Sequence, residues 1–170
     1  MNVPLWVAAP VVTLAAWAAW ADVRTRKIPN ALTGPALLLA LLAHLIFEGP
    51  LGLRGALAGM LIAGGVMLPG WLLRLNGAGD VKLMAALGAW LAFPQALFAT
   101  LAALIAGGVV AAAIALRRGQ LRQVLWNTAA LGAWVASPAR AGGPPPGSGA
   151  RFPFAVAVLA GSVGSLWIRA

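Results

Sequence analysis

The chain has 170 residues, 62% of them hydrophobic and only 9% charged, with a net charge of +9. Soluble domains carry close to a quarter charged residues, so this composition excludes an ordinary soluble fold and points to a lipid bilayer. The positive charge does not call for nucleic acid, because the cations are spread over short segments that flank apolar stretches, where they orient spans and attract anionic headgroups.

The first apolar stretch runs from Pro4 to Ala21, preceded by Met1, Asn2 and Val3 rather than by the positive leader of a secretory signal. Arg24, Arg26 and Lys27 follow it. By the positive-inside rule it is expected to be a retained span with the N-terminus outside and the basic loop in the cytoplasm. Ala31 to Phe47 then runs outward to Glu48, Gly49 and Pro50, and Gly55 to Leu73 returns to Arg74. Val81 to Phe93 is short for a span, whereas Ala96 to Leu116 is long enough. As one helix the two would measure about 50 Å against a hydrocarbon core of roughly 30 Å, so a break is predicted at Pro94. Two passes also bring Arg117 and Arg118 back to the cytoplasm.

Beyond Arg118, Leu121, Val124, Leu125 and Thr128 fall at helical spacing with Arg122, Gln123 and Asn127 on another face, which predicts a helix lying in the membrane interface. Residues 137–150 are rich in Pro and Gly and read as a flexible cytoplasmic linker. A last span is expected from Phe152 to Ile168. The fold class is thus an all-α polytopic membrane protein, a single membrane-embedded domain over 1–170. Its six transmembrane helices fall near 4–21, 31–47, 55–73, 81–93, 96–116 and 152–168, joined by the cytoplasmic interfacial helix. On this map Arg24, Arg26, Lys27, Arg74, Lys82, Arg117, Arg118, Arg122, Arg140 and Arg151 face the cytoplasm, and only Arg54 and Arg169 lie outside.

Three acidic residues occur in the whole chain. Two of them, Asp22 and Asp80, stand at junctions between apolar and polar segments on the same side of the map. Ionisable groups at a membrane boundary are costly, which makes them candidates for a site. Asp80 closes the run Asn76-Gly77-Ala78-Gly79-Asp80-Val81-Lys82-Leu83, whose glycines are expected to let the backbone bend and another chain approach closely. Two carboxyls a few ångströms apart cannot easily both ionise, so they would share a proton over some pH range. The ionised member can then take a proton from an attacking water while the protonated member hydrogen-bonds the developing oxyanion. The chain has no cysteine, and its one histidine, His44, falls near the outer end of the second span. Thiol and serine-triad chemistry therefore have little to stand on.

Gly77-Ala78-Gly79-Asp80 is a GxGD motif, and Asp22 is followed by Thr25-Arg26-Lys27-Ile28-Pro29-Asn30. Together with Pro153-Phe154-Ala155-Val156-Ala157 and Gly161 in the last stretch, these residues resemble the type IV prepilin peptidase family of intramembrane aspartic proteases. The resemblance implies an endopeptidase of the bacterial inner membrane that removes the basic leader of prepilin or pseudopilin precursors at the cytoplasmic face. It implies Asp22 and Asp80 as the catalytic pair, Gly77, Gly79 and Lys82 as active-site motif residues, and no metal or other cofactor. Lys27 or Lys82 would contact an acidic residue of the substrate. Expected partners are the precursor, membrane lipids and other pilus-assembly proteins, with no nucleic acid. Lacking a cysteine-rich segment, the chain is similar to the short, peptidase-only branch without methyltransferase activity.

Plainer readings stand beside these. Asp22 could cap the end of a loop, Asp80 could pair with Lys82, and Lys82 could reach for headgroups. Pro29 and Asn30 are expected to start the second helix, with Asn30 as its N-cap, and His44 and Glu48 to be interfacial. The rival functions are a small proton-coupled transporter subunit and a noncatalytic pilus-assembly protein.

Overall fold

A computed structural model describes residues 3–25, 28–72, 76–136 and 154–166. Helices follow one another through these residues: α1 (Leu5–Thr25), α2 (Asn30–Leu72), α3 (Ala78–Leu91), α4 (Gln95–Arg117), α5 (Leu121–Ala136) and α6 (Phe154–Ser165). No strand occurs among the described residues, as expected where a bilayer leaves the backbone no water to bond. Three helices, α1, α2 and α4, are long and apolar enough to cross a membrane.

At 43 residues α2 would reach about 65 Å if straight, more than twice the hydrocarbon core. It is two arms joined at Gly49, whose φ of 69° and ψ of −159° are non-helical. A side chain is strained at that positive φ, so glycine is the residue that permits the reversal. The turn is tighter than the expected outer loop, because Glu48 and Pro50 remain helical. The second reversal falls where the sequence places it. α3 ends at Leu91, Ala92 has φ 54°, the Phe93–Pro94 peptide is cis, and α4 begins at Gln95.

Contacts along the helices establish their directions. The rings of Trp6 and His44 meet edge to face at 5.0 Å, and His44 Nε2 lies 3.0 Å from the Trp90 carbonyl. The beginning of α1, the Gly49 turn and the end of α3 therefore share one end of the bundle. The far ends of α1 and α3, with the first residues of α2 and α6, share the other. α3 packs most extensively against α2 and is almost wholly buried from Leu83 to Leu91, apart from the half-buried Ala85.

Helix bounds differ from the expected spans in ways that matter for the site. α1 continues through Thr25 rather than stopping near Ala21, which places Asp22 within its last turns. α3 starts at Ala78, so Asp80 sits in a first helical turn and not in a loop. α3 and α6, with 14 and 12 residues, are shorter than the 17 to 25 residues a full crossing needs. The expected linker over 137–150 lies outside the described residues.

Small residues make the close packing possible. A Cβ on Gly59 would strike the Gly88 carbonyl, one on Gly88 would come within 2.6 Å of Ala63 Cβ, and one on Gly161 would run into the backbone of Ala103. Such seams suit lipid, where helices associate through close packing rather than by expelling water.

Candidate active site

Asp22 and Asp80 are 58 positions apart in the chain, yet they lie close enough for the charge of Asp22 to act on the carboxyl of Asp80. α1 delivers one and α3 the other, each at the same end of the bundle. Both residues are half-buried. Asp22 Oδ2 accepts the Ala155 N–H of α6 at 3.2 Å, and Asp80 Oδ2 accepts the Gly77 N–H at 2.9 Å. Among the described residues no hydrogen bond reaches the Oδ1 atom of either carboxyl. Each carboxyl is thus held through one oxygen by a backbone amide.

Asp80 precedes the apolar stretch that begins at Val81, and its carboxyl stands above the usual carboxylate range. Burial is the main cause, the Gly77 N–H opposes it, and the neighbouring Asp22 charge adds to it. The Asp80–Gly77 contact is half of a capping box, in which an acid in the first turn reaches back to the N-cap amide. Asp80 thus closes its own helix start and still faces Asp22.

The motif glycines differ in purpose. Neither has a positive φ, so the expected sharp bend is not their reason. Gly79 is where Ile28 packs: a Cβ there would lie 3.1 Å from Ile28 Cβ. At Gly77, with φ −82°, an added Cβ would have no heavy atom nearer than 3.4 Å, Asp80 Oδ2. Close approach explains Gly79, and nothing steric demands glycine at Gly77.

Lys82 makes no ion pair with Asp80. Its Nζ donates instead to Asn30 Oδ1 at 2.9 Å. The expected N-cap role of Asn30 is therefore not what is found. α2 starts at Asn30 itself, its first turn is closed by the Pro29 carbonyl accepting from Leu32 and Thr33, and the Asn30 side chain turns to α3. Lys27 lies outside the described residues. His44 is buried at 2% exposure rather than interfacial, while Glu48 beside it is exposed. Both belong to the end of the bundle remote from the aspartates.

Sequence reasoning singled out Ala155 and Gly161 as motif residues but missed the bond from α6 to Asp22. The Ala155 amide on Asp22 comes from a residue 133 positions away, and a backbone donor leaves no trace in side-chain pattern. An open groove of about 450 Å³ along α5, lined by Leu121, Arg122, Leu125, Trp126 and Ala129, is separate from the carboxyl pair, since among the described helices α5 touches only α4.

Fold and site together define an all-helical, membrane-type protein with two carboxyls converging at one end. A model of the type IV leader peptidase family matches residues 9–112, which carry both aspartates and the GxGD motif. Leader peptidase HopD of Salmonella typhimurium is 38% identical over 125 residues, covering 68% of this chain and 77% of that protein. No solved structure matches. The chain belongs to the type IV leader peptidase family, and with it to the peptidases whose substrates are of the prepilin type.

Proposed function

We propose that the protein is an aspartic endopeptidase in which Asp22 and Asp80 form the catalytic dyad, cutting prepilin or pseudopilin precursors between a basic leader and an apolar helix. The observation that carries this reading is the convergence of the two carboxyls, close enough to interact electrostatically, from helices far apart in the chain. Burial and the neighbouring charge favour the neutral form of Asp80, so Asp80 donates its hydrogen bond to the scissile carbonyl oxygen. Asp22 takes a proton from the water whose oxygen attacks the carbonyl carbon. The tetrahedral intermediate then collapses, the C–N bond breaks, and the leaving nitrogen receives a proton from the dyad.

In this reading the dyad end of the bundle faces the cytoplasm of the bacterial inner membrane and α2 crosses twice. α3 and α6 complete the six-pass arrangement as short helices, and α5 lies along the interface. Support comes from the cations: Arg24, Lys82, Arg117 and Arg118 belong to the dyad end, whereas Arg54 lies beside the Gly49 turn at the other. Arg24 stacks on Trp20 with its guanidinium 4.8 Å from the ring centre, and Trp126 is 76% exposed, as befits an interfacial belt.

The test is co-expression with a prepilin-type precursor, scored by loss of its leader. Asp22→Asn and Asp80→Asn should each accumulate in the membrane at the wild-type level and abolish processing. Leader removal by either variant at more than about a hundredth of the wild-type rate refutes the dyad, since losing a catalytic acid or base costs roughly 10² to 10⁴. A noncatalytic assembly protein would tolerate both changes.

A further inference from the structure

The end of the bundle that holds the carboxyls also holds a polar contact that takes no part in the proposed hydrolysis. Lys82 Nζ donates to Asn30 Oδ1 at 2.9 Å, and both side chains are exposed. Asn30 lies eight positions after Asp22, and Lys82 two after Asp80. Just before Asn30, Ile28 packs onto Gly79, the residue preceding Asp80. Residues 28–30, which follow the aspartate of α1, are thus fastened at two points to the turn that carries the aspartate of α3, by an apolar contact and by a charge-assisted hydrogen bond.

An exposed lysine normally gives up little when it is left to water, and fixing its long side chain costs rotamer entropy. Here the ammonium bonds a neutral amide oxygen instead of pairing with an acid. Residues two apart on a helix do not face each other, so Lys82 sits away from the Asp80 side of α3. Its cation bonds Asn30 and makes no ion pair with Asp80.

We infer that Asn30 and Lys82 act as a positioning pair, a clasp that fixes the separation of Asp22 and Asp80 without touching the substrate. The inference rests on the aspartate dyad proposed above. Hydrolysis by two carboxyls is sensitive to their spacing, since an error of about 1 Å at a reacting centre can cost on the order of a hundredfold.

The experiment is a double-mutant cycle on the full chain in detergent, with Asn30→Ala, Lys82→Ala and the double variant. kcat and KM are measured on a peptide spanning a precursor's cleavage point. Each single change should lower kcat about tenfold with KM within about twofold, and the double variant should be no slower than the worse single one. Lys82→Arg and Asn30→Asp, which keep a donor and an acceptor, should recover most of the rate and also serve where an alanine variant fails to fold. Rate losses that multiply in the double variant overturn the clasp. So does a loss confined to Lys82→Ala and expressed in KM, which would make Lys82 a substrate contact. Asp22→Asn and Asp80→Asn are run alongside: processing by either refutes the dyad itself, whereas inactive aspartate variants with an additive cycle refute only the clasp.

Discussion

Alanine at Gly79 should impair cleavage while alanine at Gly77 should not, although the two glycines frame the same motif. A methyl group at Gly79 meets Ile28 Cβ at 3.1 Å and both Ile28 Cγ1 and the Ile28 amide nitrogen at 3.6 Å. Carbon atoms rest at about 3.5 to 4.0 Å, so the segment from Ile28 or the first turn of α3 must yield by roughly 0.5 Å. If about 1 Å of displacement costs on the order of a hundredfold, half of that costs about tenfold in kcat, or about 1.4 kcal/mol of barrier. Gly79→Val, with two further methyls on the same atom, should fall to about 1% of the wild-type rate or below. At Gly77 the added methyl would sit 3.4 Å from Asp80 Oδ2, and φ −82° suits any residue. Gly77→Ala gives up only the preference for glycine over alanine at an N-cap, about 1 kcal/mol or less of helix stability, and should cleave within about threefold of wild type. Single-turnover cleavage of a precursor peptide at saturating enzyme separates this chemical step from binding. A Gly77→Ala rate as low as that of Gly79→Ala would refute the packing argument, as would an unimpaired Gly79→Ala.

Because the folded chain holds the Asp80 proton more tightly than an ordinary carboxyl does, the stability linked to this group is full below the ordinary carboxylate pKa of about 4. It is lost as pH rises toward and through the raised folded value. Asp80→Asn keeps an acceptor for the Gly77 N–H but carries no charge, so its thermal midpoint in detergent at pH 7 should exceed that of wild type by a few degrees, with little difference at pH 4. A less stable Asp80→Asn at pH 7 would contradict the burial argument. The wild-type cleavage rate should decline over the same rising-pH range as Asp80 loses its proton, measured from initial rates. At the opposite end of the bundle, His44→Ala removes the group that bonds the Trp90 carbonyl and should destabilise the fold by about 1 to 3 kcal/mol, read as a lowered melting midpoint. Its rate per folded molecule should stay at the wild-type level, and a selective loss of kcat would show that His44 reaches the chemistry.

Much of the fold was legible because the bilayer imposes lengths and loop charges that show directly in sequence. The reversals near Gly49 and Pro94 follow from segment length together with Gly and Pro as the residues that interrupt a helix. The aspartates were legible for a related reason: a chain with three acids declares each of them. Helix ends were less so. α1 runs past Ala21 because Asp22, Val23 and Arg24 are sterically compatible with a helix whatever their polarity, and hydropathy reports where lipid ends, not where a helix does. Asn30 has the composition of a cap, but a tertiary partner, Lys82, took its side chain. The burial of His44 was hidden because its ring nitrogens meet Glu48 and a main-chain oxygen of a helix 46 positions away.

The placement of the two carboxyls depends on helix packing as well as on polar contacts. Asp22 rides on α1 and Asp80 on α3, and these two helices touch far less than α3 touches α2 or α6 touches α4. Their separation therefore depends on their neighbours as well as on the contacts of residues 28–30 with α3. α3 is set by its seam with the second arm of α2, where Gly59 faces Gly88 and Gly64 faces Ala85, and α6, which bonds Asp22, is set against α4 by Gly161 on Ala103. Each seam sets a glycine against backbone or a single alanine methyl, which leaves little side chain to compress and makes its spacing stiff. Two carboxyls that repel when both are charged would drift apart on a soft frame. The abundance of glycine and alanine in this chain is what gives the pair a frame that does not yield.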